Sequence, residues 1–246
     1  MISVTMTATW RPEILERTLK SFFTNLWMLK DPRLKLIINI DPVGANKDKS
    51  GDIIEICSNY FREVKINRPK IAHFPSAVRW VWTNSDSPFI FHLEEDWELL
   101  YKMDFENMLW CFIQNPKLAH LRFSIFRSTQ LTCKNWKYFF TWNGRYFQCP
   151  DKDKGTVGWC GHPSLNRGGF IRDCASQMDF NLNPEKQIKW HFPLIKPLID
   201  QHDFGCFIPQ NSPANIRDIG REWMIKNNFR KKGKNKEWFT EWESTS

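Results

Sequence analysis

Apolar and polar residues alternate along the first part of the chain in blocks that predict strands and helices in turn. Residues 2–7 are rich in Ile, Val and Thr, which is typical of a strand, and residues 35–40 form a second apolar run that ends at Asp41. Between the two runs, Pro12 suits the first turn of a helix. Five apolar side chains then recur on one helical face: Leu15, Leu19, Phe22, Phe23 and Leu26. A strand, a helix and a second strand in this order predict a βαβ unit and therefore a parallel sheet.

Similar blocks continue to the last apolar run and complete the pattern of one domain. Helices are predicted at residues 53–61, 76–84 with Ser76 as cap, 104–114, 195–202 and from Pro184, and strands at residues 64–66, 89–91, 120–126 and 204–208. Residues 138–147 predict a hairpin that turns at Asn143 and Gly144. We therefore predict a single α/β domain over residues 1–220, with a mixed, mostly parallel central sheet flanked by helices, followed by a basic tail over residues 221–246.

The composition supports a protein with a large core and no membrane span. Of 246 residues, 41% are hydrophobic and 15% aromatic, which is enough for a core and for an aromatic cleft. No apolar run is long enough to cross a bilayer, and the N-terminus lacks the pattern of a signal peptide. The seven cysteines include no CxxC pair, which disfavours a disulfide framework or a zinc site. We expect a cytoplasmic protein, in a reducing compartment.

The charge pattern allows a polyanionic partner such as a nucleic acid. The formal net charge is +8 and the pI about 9.1. Basic residues are dense after Gly220: Arg221, Lys226, Arg230, Lys231, Lys232, Lys234 and Lys236. Aromatic residues are interleaved with them: Trp223, Phe229, Trp238 and Trp242. Such a tail can hold phosphates and stack on bases, although a solvated or frayed chain end has the same composition.

Three consecutive acids end the apolar run of residues 88–93. Glu94, Glu95 and Asp96 repel each other when packed together, and burial raises their pKa values unless a cation neutralises them. Hard oxygen ligands of this kind suit Mg²⁺ or Mn²⁺. The alternative is that the three acids only favour the start of a following helix.

A second acid stands at the end of another predicted strand. Asp41 follows residues 35–40, and Thr7, Thr9 and Arg11 follow the first strand. Because ligands of open α/β sheets lie at the carboxyl ends of the strands, these groups are expected at one edge. Asp41 can hold a ribose or a base edge, while a metal at the acidic cluster can neutralise a leaving diphosphate. Turn chemistry before Pro42 is the alternative explanation of Asp41.

Three motifs in the first hundred residues together resemble the GT-A glycosyltransferases, especially the family-2-like kind. The opening motif of that family resembles residues 9–21, with matches at Arg11, Pro12, Leu15, Arg17, Leu19 and Ser21. The nucleotide-binding acid after the second strand matches Asp41. The passage from a helix to a D-x-D motif resembles residues 77–79 through 94–96, with Glu-Glu-Asp in place of the usual acidic motif.

The resemblance implies a single GT-A (Rossmann-like) domain in which residues 1–100 bind the nucleotide-sugar and residues 101–220 bind the acceptor. It implies that Asp96 is the direct ligand of Mn²⁺ or Mg²⁺. Glu94 and Glu95 then act on the sugar or through water, and Arg79 belongs to the donor site unless it is only a solvated helix residue.

The second half resembles the family more loosely. Residues 161–165, with His162, and Arg172 resemble the acceptor-side segment. The stretch from Asn183 to Glu185, followed by Trp190, resembles the place of a catalytic carboxylate. An inverting enzyme needs a base for the acceptor hydroxyl, and Glu185 is the candidate with Asp179 in reserve. The alternatives are a first-turn role for Glu185 and a packed loop position for His162.

A late segment resembles a second metal-binding motif of the family. Residues 218–220 read Asp-Ile-Gly where the family has His-Ile-Gly, so Asp218 is the implied ligand. Arg221 and Lys226 are then expected to reach the diphosphate.

These patterns favour a metal-dependent hexosyltransferase that moves a sugar from a UDP-glucose-like donor to an acceptor hydroxyl. The charge and the tail favour a 5-hydroxymethylpyrimidine base in DNA as acceptor, as in some viral enzymes, and such a base would be flipped out of the stack. One alternative is a cytoplasmic transferase of surface polysaccharide or glycan synthesis. Another is a non-catalytic nucleic-acid-binding α/β module whose acidic cluster is structural.

Overall fold

The structure is a computed structural model that describes residues 2–133, 140–189, 192–232 and 241–244. Its strands are β1 (Ile2–Thr9), β2 (Lys35–Asp41), β3 (Glu63–Asn67), β4 (Phe89–Glu94), β5 (Trp97–Leu99), β6 (Leu118–Arg122), β7 (Thr141–Trp142), β8 (Phe147–Gln148), β9 (Ser164–Arg167), β10 (Asp203–Cys206), β11 (Ile216–Asp218), β12 (Phe229–Lys232) and β13 (Glu241–Ser244). Its helices are α1 (Pro12–Asn25), α2 (Ser50–Tyr60), α3 (Phe74–Thr83), α4 (Phe105–Gln114), α5 (Ser128–Leu131), α6 (Gly168–Gln177), α7 (Pro184–Lys189), α8 (Lys196–Gln201) and α9 (Gly220–Lys226).

One large sheet organises the described part of the chain. Its strand order is β3-β2-β1-β4-β9-β6-β10-β8-β7. The strands β3, β2, β1 and β4 are mutually parallel, whereas β9 is antiparallel to both β4 and β6. The prediction of a single α/β domain with a mixed, mostly parallel sheet is therefore confirmed.

Helices cover both faces of this sheet. The first cluster of core residues packs α1, α2 and α4 on one face, and a second cluster packs α3, α6 and α8 on the other. The apolar face predicted for α1 is the buried face, since Leu15, Leu19 and Phe22 have no exposed surface. Because helices cover both faces of the sheet, the row of strand ends, here called the edge, is the accessible part, and polar side chains lie there.

Local differences from the sequence predictions have clear physical reasons. The helix predicted to begin at Ser76 begins at Phe74, because the His73 side chain is the cap that accepts a hydrogen bond from the Ser76 amide. No helix starts directly after the acidic cluster. The strand β5 follows it, so the helix-start explanation of Glu94–Asp96 is wrong. The hairpin at Asn143 and Gly144 is confirmed by the pairing of β7 with β8 and by the positive φ of Gly144.

The last residues of the predicted domain form a separate two-stranded sheet with β5. Strand β11 pairs with β5 and places Asp218 opposite Trp97. The boundary that we predicted between residues 220 and 221 falls inside α9, and Trp223 of that helix packs with Ile14 of α1. Residues 220–226 are thus part of the packed structure that surrounds the acidic cluster.

Candidate functional site

The carboxyl ends of β1, β2 and β4 bring the predicted donor residues together. In the register of the sheet, Thr9 lies opposite Asp41 and Thr7 lies opposite Glu94. The next two residues, Glu95 and Asp96, form a tight turn before β5. We call Glu94, Glu95 and Asp96 the acidic turn. Four predicted strand-end positions therefore meet at one edge, as the parallel topology requires.

The buried cation of the acidic turn is Arg11. Its guanidinium lies 2.5 Å from Glu95 Oε1 and 3.1 Å from Asp96 Oδ2, and the residue is only 1% exposed. Thr9 also donates to Glu95, from its amide and from its hydroxyl at 2.7 Å. Burial acts to lower the pKa of Arg11, but the charges of the two carboxylates outweigh burial, and the pKa lies above its ordinary value. Arg11 and Glu95 are thus buried residues that hold the turn.

The Asp41 carboxylate is buried beside this turn. It is 6% exposed, and it accepts hydrogen bonds from Asn39 Nδ2 at 2.7 Å and from the backbone N–H of His73. Burial raises the pKa of Asp41 to about 6, because the two hydrogen bonds do not offset the lost hydration and the charge of Glu95 raises the pKa further. A carboxylate of this kind is ionised at neutral pH and accepts hydrogen bonds from a ligand.

The C-terminal segment packs directly on Asp96. The Ile219 amide donates to the Asp96 carbonyl at 2.9 Å, and a Cβ at Gly220 would lie 2.2 Å from Asp96 Oδ2. Glycine is therefore required at this close approach. The neighbouring Asp218 accepts a hydrogen bond from the Arg221 amide at 3.1 Å, while the side chains of Arg221 and Lys226 are exposed.

Residues of the second half approach the acidic turn from the other side. A Cβ at Gly161 would lie 3.0 Å from Glu94 Oε1, and the ring of His162 packs edge-on against Trp97 at 4.8 Å. Burial and the charge of Arg122 lower the pKa of His162 to about 3, so its ring is neutral at neutral pH. The loop predicted to face the acceptor therefore adjoins the predicted donor residues.

Glu185 lies in the electrostatic surroundings of His162. Its carboxylate is 38% exposed and is paired with Lys189 one turn along α7 at 2.5 Å. Burial acts to raise the pKa of Glu185, but Lys189, followed by His162 and Arg122, holds it below its ordinary value. Glu185 is thus an ionised, partly exposed carboxylate in the electrostatic surroundings of the predicted acceptor-side loop, and its pairing with Lys189 makes it a weaker proton acceptor than a free carboxylate.

Three other predicted residues make contacts outside the acidic turn. Arg172 donates to the carbonyls of Ser85 and Ser87, which precede β4, and so lies at the opposite edge of the sheet. The expectation that it faces the acceptor is corrected, because β9 is antiparallel and α6 therefore begins at that opposite edge. Asp179 accepts hydrogen bonds from Asn181 in the loop after α6, and Arg79 stacks over Phe180 at 4.2 Å. Trp190 lies outside the described residues.

Sequence reasoning missed several residues at this edge. Trp10 lines two cavities beside the ends of β1 and β2, of about 440 and 450 Å³, one with Arg68 and the other with Trp223. Arg11 lies over the ring of Trp223 at 5.3 Å. The position of Trp10 next to Thr9 was a signal in the sequence, whereas the contact with Trp223 joins residues too far apart to be predicted from it.

The available ligands suit a hard divalent cation only in part. No three His, Cys, Asp or Glu side chains gather as a metal site in the portions of the chain that the structure describes. Asp96 stands at the edge, and Asp218 faces its neighbour Trp97 across the β5–β11 pair. Since Mg²⁺ is commonly held by one or two carboxylates together with substrate phosphates, these residues fit a cation whose shell the substrate completes.

Comparison with solved structures shows the same fold. The structure of S. aureus TarS 1–349 matches with a TM-score of 0.58 and 10% identity, over 92% of this chain and 63% of that one. The same protein in complex with UDP-GlcNAc matches with a TM-score of 0.55 and 9% identity, over 87% and 57% of the two chains. The mannosyltransferase PcManGT from Pyrobaculum calidifontis, in complex with GDP-Man and Mn²⁺, matches with a TM-score of 0.54 and 6% identity, over 85% and 54%.

The likeness concerns the fold, and the chain spans less than two thirds of the length of each of these three structures. No family model matches the chain, and no curated protein matches it in sequence. Among the helices of the described residues, none combines the length and the apolar character needed to cross a membrane.

Proposed function

We propose that the protein is a nucleotide-sugar glycosyltransferase. The observation that carries the proposal is that Asp41 and the acidic turn lie at the ends of β2 and β4, the two strands that flank β1, on the edge where open α/β sheets bind ligands. The shared fold adds support, since TarS is seen with UDP-GlcNAc and PcManGT with GDP-Man and Mn²⁺. The cytoplasm remains the proposed compartment.

In this proposal the donor lies across the ends of β1, β2 and β4. Asp41 accepts hydrogen bonds from the base or ribose. Asp96, with Asp218 near it, would hold Mn²⁺ or Mg²⁺, and such an ion would supply positive charge for the diphosphate leaving group. Glu94 is placed for the sugar, next to Gly161. Arg11 and Glu95 keep the turn in shape, while the exposed cations Arg221 and Lys226 approach the diphosphate.

Glu185 is the proposed general base. Its lowered pKa keeps the carboxylate ionised at neutral pH, so that it accepts the proton of the acceptor hydroxyl as the new glycosidic bond forms. The neutral His162 ring, held against Trp97, lines the acceptor side. Asp179 remains in reserve as the base.

Donor binding is tested by thermal unfolding of the wild type and of Asp96→Asn with UDP, UDP-glucose, UDP-GlcNAc or GDP-mannose, with and without Mn²⁺. A ligand that binds the native state raises Tm by mass action. We expect a Mn²⁺-dependent rise in the wild type that Asp96→Asn loses. The matched control is Asp86→Asn, an exposed acid near the opposite edge. The absence of a rise with every nucleotide-sugar contradicts the proposal.

The acceptor that we propose is a 5-hydroxymethylpyrimidine base in DNA. The net charge of +8 and the exposed cations of α9 support it. The test is transfer of a labelled sugar to duplex and single-stranded DNA with and without hydroxymethylcytosine, at two salt concentrations. Transfer to oligosaccharides alone refutes the DNA acceptor and favours glycan synthesis. DNA binding without metal-dependent transfer favours a binding module.

A further inference from the structure

Two asparagines connect Asp41 to the edge strand of the sheet. Asn67 Nδ2 donates to Asn39 Oδ1 at 2.7 Å, and Asn39 Nδ2 donates to Asp41 Oδ1 at 2.7 Å. Asn39 and Asn67 are register partners on β2 and β3, and Asn39 lies two residues before Asp41, hence on the same face. We call this chain of hydrogen bonds the Asn67–Asn39–Asp41 relay.

The direction of the relay is fixed by the charge of Asp41. An ionised carboxylate only accepts hydrogen bonds, so Asn39 must turn its NH₂ group toward Asp41. The Asn39 carbonyl then faces Asn67, whose NH₂ group satisfies it. Because Asn39 is only 1% exposed, water does not replace either partner, and a flipped amide would leave two buried mismatches.

The other groups that face Asp41 do not supply this orientation. Glu95, from the turn after β4, repels the carboxylate, and its charge is bound by Arg11. From α3 the backbone N–H of His73 donates to Asp41, while the His73 ring accepts from the Ser76 amide. Asn39 is therefore the side chain that donates to the carboxylate, and Asn67 is the group that orients Asn39.

We propose that Asn39 and Asn67 are positioning residues for donor binding. They hold the ionised Asp41 carboxylate in the orientation in which it accepts a hydrogen bond from the nucleotide. The inference rests on the proposed function, in which Asp41 contacts the nucleotide. Asn67 acts through its hydrogen bond to Asn39, and it lies at the end of the edge strand β3, half-buried.

The test measures UDP and GDP affinity by calorimetry between pH 5.5 and 8.5 for the wild type, Asn39→Leu and Asn67→Leu. Without the hydrogen bond from Asn39, the Asp41 carboxylate should take up its proton at a pH about one unit higher. The pH at which nucleotide affinity is half lost should therefore rise by about one unit. Relative to the wild type, Asn39→Leu then binds about threefold more weakly at pH 6.5 and about eightfold at pH 5.5, with little difference at pH 8.5. Asn67→Leu shifts in the same direction by less. Titration of the diphosphate affects the wild type and the variants equally, so it cancels in the ratio of their affinities.

The control is Asn84→Leu, a half-buried asparagine that donates to the Trp80 carbonyl at the far end of α3. It should leave the midpoint unchanged. A loss of affinity that is equal at every pH, or no shift at all, overturns the inference. If Asn39→Leu does not fold, Asn67→Leu carries the test.

Failure of the proposed function is recognised separately, because the wild type would then bind neither nucleotide. In that case the relay is tested without nucleotide, by NMR titration of the Asp41 side-chain carboxyl in the same variants. An upward shift in Asn67→Leu, which does not touch Asp41, shows the orienting effect. An unchanged titration refutes it.

Discussion

Replacing Asp41 by asparagine should make the protein more stable at neutral pH. The carboxylate is 6% exposed, and burial raises its pKa from about 3.8 to about 6. A folded-state pKa above the unfolded value means that the folded state binds the proton more tightly. The contribution of Asp41 to stability is therefore fully present below pH 4 and is lost as the pH rises through about 6. At pH 7.5 the ionised carboxylate destabilises the fold.

The size of the effect follows from the shift. Two pKa units at 1.36 kcal/mol each give about 3 kcal/mol in the free energy of unfolding. Asparagine removes this cost, but its NH₂ group cannot accept one of the two hydrogen bonds from Asn39 and the His73 amide, which costs about 1–2 kcal/mol. The net gain at pH 7.5 is about 1–2 kcal/mol, or about 2–8 °C in Tm for a chain of this size.

The assay is urea unfolding of wild type and Asp41→Asn at pH 4, 6 and 7.5, without metal or nucleotide. The difference in unfolding free energy should increase by about 2.5 kcal/mol from pH 4 to pH 7.5 in favour of the variant. Nucleotide binding should be lost at the same time. The exposed Asp86→Asn serves as the control for a change of net charge. A difference that is independent of pH, or a variant less stable than wild type at pH 7.5, would refute the reasoning.

Three further predictions concern the same edge of the sheet. Gly220→Ala should abolish Mn²⁺-dependent donor binding, measured by calorimetry, because the new methyl group displaces Asp96. Circular dichroism should show that the fold is retained. The control Gly51→Ala, with open space around its Cβ, should bind the donor normally. Arg11→Met should lower the free energy of unfolding by about 3–5 kcal/mol in urea titration, because it leaves buried carboxylates without their cation, and an unchanged midpoint would contradict this. Glu185→Gln should lower kcat by about 10²-fold or more while donor affinity stays within about twofold, and equal losses in both would argue against a general base.

Sequence reasoning located the site where neighbouring parallel strands end. Asp41 and the acidic turn were predicted together because apolar runs of strand length stop at acids, and a βαβ order fixes which ends share an edge. Arg172 was misplaced because the direction of β9 is not written in its own residues. A strand of four residues pairs in the direction that its neighbours impose.

Contacts between residues that are distant in the chain could not be predicted from the sequence either. The contact of Arg11 with Glu95 spans 84 positions, and either side chain alone suggested a ligand-binding role. The Asn39–Asn67 hydrogen bond had a weak signal, because both residues lie near strand ends, yet only the register of β2 with β3 makes them partners. Cross-strand pairing converts two unremarkable polar residues into one oriented group.

The buried arginine also changes the argument for a metal. The sequence suggested that three adjacent acids at a strand end demand a cation, and Arg11 is a cation already built into the chain. It offsets one of the three negative charges, and we therefore expect the turn to fold without a metal. In the proposed function a nucleotide-sugar would bring a diphosphate to the same edge, and a divalent cation held by Asp96 would supply positive charge against that repulsion. On this argument the metal belongs to donor binding rather than to folding, and Mn²⁺ should raise Tm far more in the presence of UDP than alone. An equal rise with and without UDP would show that the acidic turn itself needs the metal.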